Sequence, residues 1–263
     1  MEKFAEMYKA FLAKGDPRTE KWLFVETPVP ALILSSLYIL VSICGPRFMK
    51  NRKPLNLKAL IIPYNFALVG LSSFIFYEIL ATAIKANYSL RCEPVDYSNN
   101  PLALRMANAT WWFFFSKFIE LFDTIFMILR GKTNQLSFLH VYHHSTIIPN
   151  YWLAVRFAPG GQAFFAMLLN SFVHVLMYTY YGLSALGPEM RKYLWWKKYM
   201  TRIQLVQFCL FFTHGAYNYF LTDCDFPAGL NLLVLVYSTS LIVLFMNFYI
   251  REYIHKQNEK KTK

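Results

Sequence analysis

Charge is what this 263-residue chain has least of: Asp, Glu, Lys and Arg together make up 16% of it, where soluble domains carry about 25%. Acids are the scarcer half, 15 against 27 Lys and Arg, which leaves a formal charge of +12. With 56% hydrophobic and 19% aromatic residues, that scarcity excludes a disordered chain, which needs low hydrophobicity. No repeat of fixed period, low-complexity tract or dividing linker is visible, so a solenoid or a string of domains is not expected either. An apolar h-region is also missing from the mixed-charge first 28 residues, which argues against a cleaved signal peptide and for an uncleaved anchor. The basic surplus is ambiguous between nucleic acid and membrane until its placement is read. In a chain this apolar, cytoplasmic loops of a membrane protein are the first account to test.

Seven stretches are almost free of charge, at about 29–45, 59–84, 108–129, 134–155, 162–187, 203–222 and 230–250, each near the roughly 20 residues that cross a bilayer. The expected fold is an all-α integral membrane protein with seven transmembrane helices. Arg47, Lys50, Arg52, Lys53 and Lys58 follow the first stretch without an acid, and Arg191, Lys192, Lys197, Lys198 and Arg202 separate the fifth from the sixth. Arg130 and Lys132 and the basic tail fall on the same side, so the positive-inside rule makes that side cytosolic. The organisation expected is a lumenal segment over 1–28, a membrane domain over 29–250 and a cytosolic tail over 251–263. Cys92 and Cys224 then share the oxidising compartment, and a disulfide between them is expected. Asn87 and Asn108 begin glycosylation sequons, of which Asn87 is the one clear of a span. Lys260 and Lys261 stand four and three positions from the end, the arrangement of an endoplasmic reticulum retrieval signal.

Ionisable groups inside spans are expensive and mark function by default. The third stretch carries Lys117, Glu120, Asp123 and Thr124. At 100° per residue, Lys117, Glu120 and Thr124 share an arc of about 60°, with Asp123 about 60° beyond Glu120. A buried ion pair that only fixes packing explains Lys117 and Glu120 as well as catalysis does. The fourth stretch holds His140, His143 and His144 within about 100° of arc, a box suited to metal ligation or to acid–base and nucleophilic work near neutral pH. The fifth lines up Asn170, His174, Met177, Tyr178 and Tyr181 on one stripe. The sixth opens with Thr201, Gln204 and Gln207, whose plainer reading is interhelical hydrogen bonding. Counted from their cytosolic ends, these groups converge at similar depths on one cytosol-facing polar cavity. Six histidines in all are too few for the membrane di-iron enzymes, while one zinc on three histidines and an acid stays open.

The spacings Lys117-x-x-Glu120-x-x-Asp123-Thr124, His140-x-x-His143-His144, His174-x-x-Met177-Tyr178-x-Tyr180-Tyr181 and Thr201-x-x-Gln204-x-x-Gln207 occur in this order. Together they resemble the four signature motifs of the very-long-chain fatty acid elongases, the ELO family, and no motif position departs from the pattern. The resemblance implies a 3-oxoacyl-CoA synthase that condenses malonyl-CoA with a long-chain acyl-CoA, releasing CO2 and CoA, without metal or redox cofactor. It implies a place in the endoplasmic reticulum membrane, beside 3-oxoacyl-CoA reductase, dehydratase and enoyl-CoA reductase, often as a homodimer, with no role for nucleic acid. The runs Phe138 to His144 and Leu169 to His174 are similar to animal members acting on polyunsaturated or very long chains. His143 is then the nucleophile expected to form an acyl-imidazole. His174, Asn170 and His144 are the expected donors to a developing enolate. His140 has no separate role assigned, and Lys117, Glu120 and Asp123 are expected to orient imidazoles. The apolar tail needs a tunnel between helices, and Arg130, Lys132, Lys197, Lys198 and Arg202 would attract CoA phosphates. A seven-helix receptor fits the topology, but its usual Asp-Arg-Tyr and Asn-Pro-x-x-Tyr signatures are missing. A transporter would show broken helices or repeats.

Overall fold

The computed structural model describes residues 2–220 and 223–255, and all regular structure among them is helical. The helices are α1 (Glu2–Leu12), α2 (Val29–Met49), α3 (Lys58–Lys85), α4 (Pro101–Glu120), α5 (Phe122–Leu129), α6 (Phe138–Phe157), α7 (Ala163–Leu186), α8 (Lys197–Phe220) and α9 (Ala228–Tyr249). Each charge-poor stretch is occupied by helix, the third by α4 and α5 in succession. Four helices are long and apolar enough to cross a bilayer on that criterion alone: Val29–Met49, Lys58–Lys85, Ala163–Leu186 and Ala228–Ile254. The remaining segments carry the costly polar groups, Lys117 to Thr124, the histidine box and the basic, amide-bearing start of α8, and this lowers their hydropathy. The coarser half of the expectation therefore stands, an all-helical membrane protein. Lys260 and Lys261 lie outside the described residues.

Several expected boundaries move by a few residues, two of them for a capping reason. The third segment begins at Pro101 rather than near 108, because Asn100 caps it by accepting from the Leu102 N–H at 2.9 Å and Pro101 loses no hydrogen bond at the first helical position. Arg105 thereby joins the helix and pairs with Glu78 of α3 through two bonds of 2.6 and 2.9 Å. The fourth begins at Phe138 rather than 134, since Ser137 accepts from the His140 N–H at 3.2 Å and Thr133–Gln135 form a 3-10 turn. The histidine box thus fills the first two turns of α6.

The chain runs up and down between a basic end, where the Arg130–Lys132 turn lies, and a disulfide end, where Cys92 is bonded to Cys224. α3 packs along α7 and α4; α2 packs on α6; and α6, α9, α8 and α7 follow one another round an interior space. One core cluster joins Ile75, Ile79, Met106, Phe113 and Met167 across α3, α4 and α7, and a second joins Phe114, Ile148 and Trp152 to Val25 before α2. Residues 13–28 are pinned to the disulfide end of the bundle. Arg156, buried at the end of α6, donates to the Asp16 and Leu12 carbonyls at 3.1 and 2.7 Å, and Trp152 donates to the Val25 carbonyl at 3.1 Å. Gly160 and Gly161 take φ of +112° and +51° in the turn to α7. A Cβ on Gly161 would sit 3.0 Å from the Glu93 carbonyl and Val95 nitrogen, so glycine lets the Cys92 loop close over that turn.

Candidate active site

Between α4 and α5 the backbone tightens. The Leu121 N–H reaches the Phe118 carbonyl (3.3 Å) and the Thr124 N–H the Leu121 carbonyl (3.2 Å), three residues back instead of four. The polar stripe expected on one face is split in consequence. Lys117 and Glu120, 2% and 1% exposed, form an ion pair of 2.7 Å that faces α7. Lys117 Nζ also donates to Asn170 Oδ1 at 3.3 Å, and Ser116 donates to Glu120 Oε1 at 3.3 Å. His174 Nδ1 lies 3.2 Å from the same Glu120 oxygen, off the alignment of a hydrogen bond, so this contact is electrostatic. One turn on, Asp123 accepts from the Tyr178 hydroxyl at 2.8 Å. Thr124 turns instead toward α6 and α2, with its hydroxyl 2.7 Å from His140 Nε2 and 3.0 Å from Tyr38 Oη.

The histidine box has three different environments. His140 is held by Thr124; His144 is buried with Nδ1 unpartnered by protein, its ring 4.4 Å from that of His140 and 5.4 Å from that of His143. His143 alone of the three lines the interior cavity, and its Nδ1 is 3.1 Å from Tyr237 Oη on α9. Among the described residues no three His, Cys, Asp or Glu side chains are arranged to hold a metal ion.

That cavity, with about 100 Å³ of room for the centres of water-sized spheres, lies between α6, α7, α8 and α9 and is partly open. His143 and Asn170 stand at one end, and Ile147, Phe208, Phe211, Val234 and Leu241 are among its apolar walls. From His143 to Ala154, both in the lining, it follows α6 for roughly 16 Å at 1.5 Å per residue. At the far end the Gln162 amide meets the His214 ring at 2.5 Å, and Gln162 Oε1 accepts from the Glu93 N–H at 2.6 Å. Burial raises the Glu93 carboxyl above the usual carboxylate range, partly offset by the Ser89 N–H.

Sequence reasoning and geometry part company at several residues. Tyr181 is 37% exposed, its ring 6.0 Å from those of Tyr178 and Tyr180; Gln204 meets Met177 Sδ at 3.8 Å; Gln207 is buried with Oε1 unpartnered by protein. None of the three lines the cavity, and neither do His140, His144 or His174. Arg130, Lys132, Lys197, Lys198 and Arg202 are exposed at the basic end, Arg202 donating to Tyr249 at 2.9 Å. The whole contribution of α9 escaped the sequence reading. Its signal was there, four hydroxyl residues in a row, Tyr237 to Ser240, inside an otherwise apolar span. Gln162 and His214 escaped too, being separated by 52 residues and joined only by the fold.

The family model described as ELO, the GNS1/SUR4 family, matches residues 23–261. The chain is 46% identical over 258 residues to very long chain fatty acid elongase 4 of Homo sapiens, covering 98% of this chain and 82% of that protein. It is 45% identical over 257 residues to very long chain fatty acid elongase 7 of Rattus norvegicus, covering 97% and 92%. Against very long chain fatty acid elongase 1 of Homo sapiens it is 45% identical over 256 residues, covering 96% and 91%. A match of this extent, running through every motif and every cavity-lining helix, places the chain in the ELO family.

Proposed function

We propose that the protein condenses malonyl-CoA with a long-chain acyl-CoA, giving 3-oxoacyl-CoA, CO2 and CoA, the step that lengthens a fatty acid by two carbons. The observation that carries this reading is His143 at the head of a long apolar cavity whose other walls offer no competing nucleophile of its kind until His214 at the far end. A fatty tail in the cavity gains roughly 0.8 kcal/mol for each CH2 withdrawn from water. That burial holds the thioester at His143, so attack becomes effectively intramolecular. Neutral imidazole attacks the thioester carbon and CoA leaves as thiolate. Malonyl-CoA loses CO2, and its enolate is stabilised by donors already fixed in a water-poor site. The Asn170 amide lines the cavity at the same level and has its oxygen held by Lys117, which turns its NH2 free to donate. His144 and His174, expected as further donors, stand behind the cavity lining, so Asn170 is the donor that the cavity wall itself presents.

The reaction is proposed to need no metal. All seven segments cross the endoplasmic reticulum membrane, with residues 1–28 and the disulfide end lumenal and the tail of 251–263 cytosolic. In that orientation the basic end meets cytosolic CoA esters, and Arg130, Lys132, Lys197, Lys198 and Arg202 attract their phosphates. Polyunsaturated or very-long-chain acyl-CoAs are the substrates, and the product passes to the reductases and dehydratase of the cycle. The test is incorporation from carbon-14 malonyl-CoA by purified protein in detergent, across saturated and polyunsaturated acyl-CoAs, with and without chelator. A 3-oxo product two carbons longer in both arms is expected. No product from any acyl-CoA, or a product lost with chelator, refutes the reading.

A further inference from the structure

Tyr237 stands where the motifs give no reason to look, and it is bonded to the one box histidine that faces the cavity. We propose that Tyr237 is the positioning residue of His143: its oxygen accepts the Nδ1–H and so keeps the lone pair on Nε2, the nitrogen left to attack the acyl group. The inference rests on the covalent route proposed above.

The direction of the bond follows from where the neighbouring protons go. Thr146 has one hydroxyl proton, and its shortest acceptor is the Tyr142 carbonyl at 2.6 Å. The contact between Thr146 Oγ1 and Tyr237 Oη, 3.1 Å, is aligned for the threonine to donate, while the Tyr237 hydroxyl donates to the His143 carbonyl at 3.4 Å. With its proton committed to that carbonyl, Tyr237 presents a lone pair to Nδ1. The two rings lie nearly parallel, 13° apart, so the contact fixes the imidazole plane as well as its tautomer. A histidine whose second nitrogen is held by an acceptor is the usual device for setting which nitrogen is free.

The charge balance of the reaction asks for an acceptor there. Attack by Nε2 forms the N–C bond and breaks the C–S bond, giving a cationic acyl-imidazolium that retains its Nδ1 proton, with CoA thiolate departing. Malonyl-CoA then loses CO2, the enolate carbon bonds to the acyl carbon, and the C–N pair returns to Nε2. The ring ends neutral, and the thiolate takes its proton from water. At no point does the Nδ1 proton need to leave, so a tyrosine oxygen that holds it through the cationic stage serves both steps.

Solution NMR of the full chain with nitrogen-15 histidine in detergent, with His143 assigned by His143→Gln, reads the tautomer directly. Acyl transfer to the protein in a single turnover reads its consequence. A protonated Nδ1 and bare Nε2 are expected in wild type. Tyr237→Phe should mix the tautomers and slow acylation about tenfold, the worth of one hydrogen bond to a group that becomes charged, without weakening acyl-CoA binding. Ser240→Ala, which removes the other α6–α9 bond, Tyr142 to Ser240 at 2.8 Å, should leave the rate within about twofold and so separates positioning from packing. A proton on Nε2 in wild type, or Tyr237→Phe acylating at the wild-type rate, overturns the proposal. A wild type that never acylates refutes the covalent route instead, and the ring signature then decides the Tyr237 claim by itself.

Discussion

Replacing Lys117 with Met should destabilise the protein far more than replacing Lys117 and Glu120 together. The pair is 2% and 1% exposed and 2.7 Å apart, inside a helix packed against α3, α6 and α7. Taking away Lys117 leaves the Glu120 carboxylate with only the Ser116 hydroxyl and the His174 edge for company. Breaking such a pair from one side costs about 3–5 kcal/mol, whereas exchanging both partners for apolar groups is commonly neutral or stabilising. At about 1.4 kcal/mol per factor of ten, the single variant should shift its unfolding equilibrium on the order of a thousandfold. The assay is unfolding of purified variants in detergent, followed by the 14C condensation measurement on the folded fraction. Lys117→Met with Glu120→Met should unfold like wild type yet condense slowly, because the charge that holds His174 and the cation that holds Asn170 are both gone. A single variant within about 1 kcal/mol of wild type would refute the idea that the charges are uncompensated without each other. A double variant with full activity would show that the pair is scaffolding alone.

Three further outcomes follow from the site. His143→Ala should abolish transfer of the acyl group to protein, seen as loss of the acyl mass increment when intact protein is mixed with acyl-CoA alone. Lys132→Ala, exposed at the basic end and outside the cavity, should raise KM for acyl-CoA several-fold and leave kcat unchanged. His214→Ala should open the far end of the cavity, where the ring closes against Gln162. At roughly 0.8 kcal/mol per CH2 the preference for an acyl-CoA two carbons longer should rise by about tenfold, read as a shift in product lengths by mass spectrometry; an unchanged distribution would show that this pair does not set the limit.

How much of this was legible depended on whether a feature is local in the chain. The helical segments, the histidine box and the Cys92–Cys224 bond are readable because composition, spacing and the alternation of loops each act within a short window or a simple pattern. The angular argument for α4 was right in type and wrong in detail. It assumed an ideal helix through 117–124, while three-residue hydrogen bonds around Leu121 send Thr124 to His140 and Asp123 to Tyr178. Arg156 shows the same limit in another form. A single basic residue just past the fourth charge-poor stretch, it is a buried clamp on the carbonyls of Leu12 and Asp16, and backbone carbonyls carry no sequence signal at all. Tyr237 and the Gln162–His214 contact were hidden because each needs the relative rotation of two helices distant in sequence.

The division of labour among the helices gives the site a physical logic. Four helices, α6 to α9, touch the cavity, while α2, α4 and α5 stand behind the histidines and never reach it. The polar groups of that rear layer each fix something that does reach it or its neighbour: Tyr38 and Thr124 brace His140, Lys117 holds Asn170, and Asp123 anchors α7 through Tyr178. A buried polar network is costly when half-satisfied and rigidifying when complete. Here it sits one layer away from the substrate, so its bonds need not change when the cavity fills, while Glu120 Oε2, His144 Nδ1 and His174 Nδ1 have no hydrogen-bond partner within it. The front layer is free to be mostly apolar, as a sliding hydrocarbon requires, with His143, Tyr237 and Asn170 toward one end, Gln162 and His214 at the other, and Asn150, Tyr151, Asn231 and Ser238 as its other polar lining residues. Single changes that leave a rear-layer partner unpaired should therefore act on stability and kcat together, and changes along the apolar front walls on chain length alone.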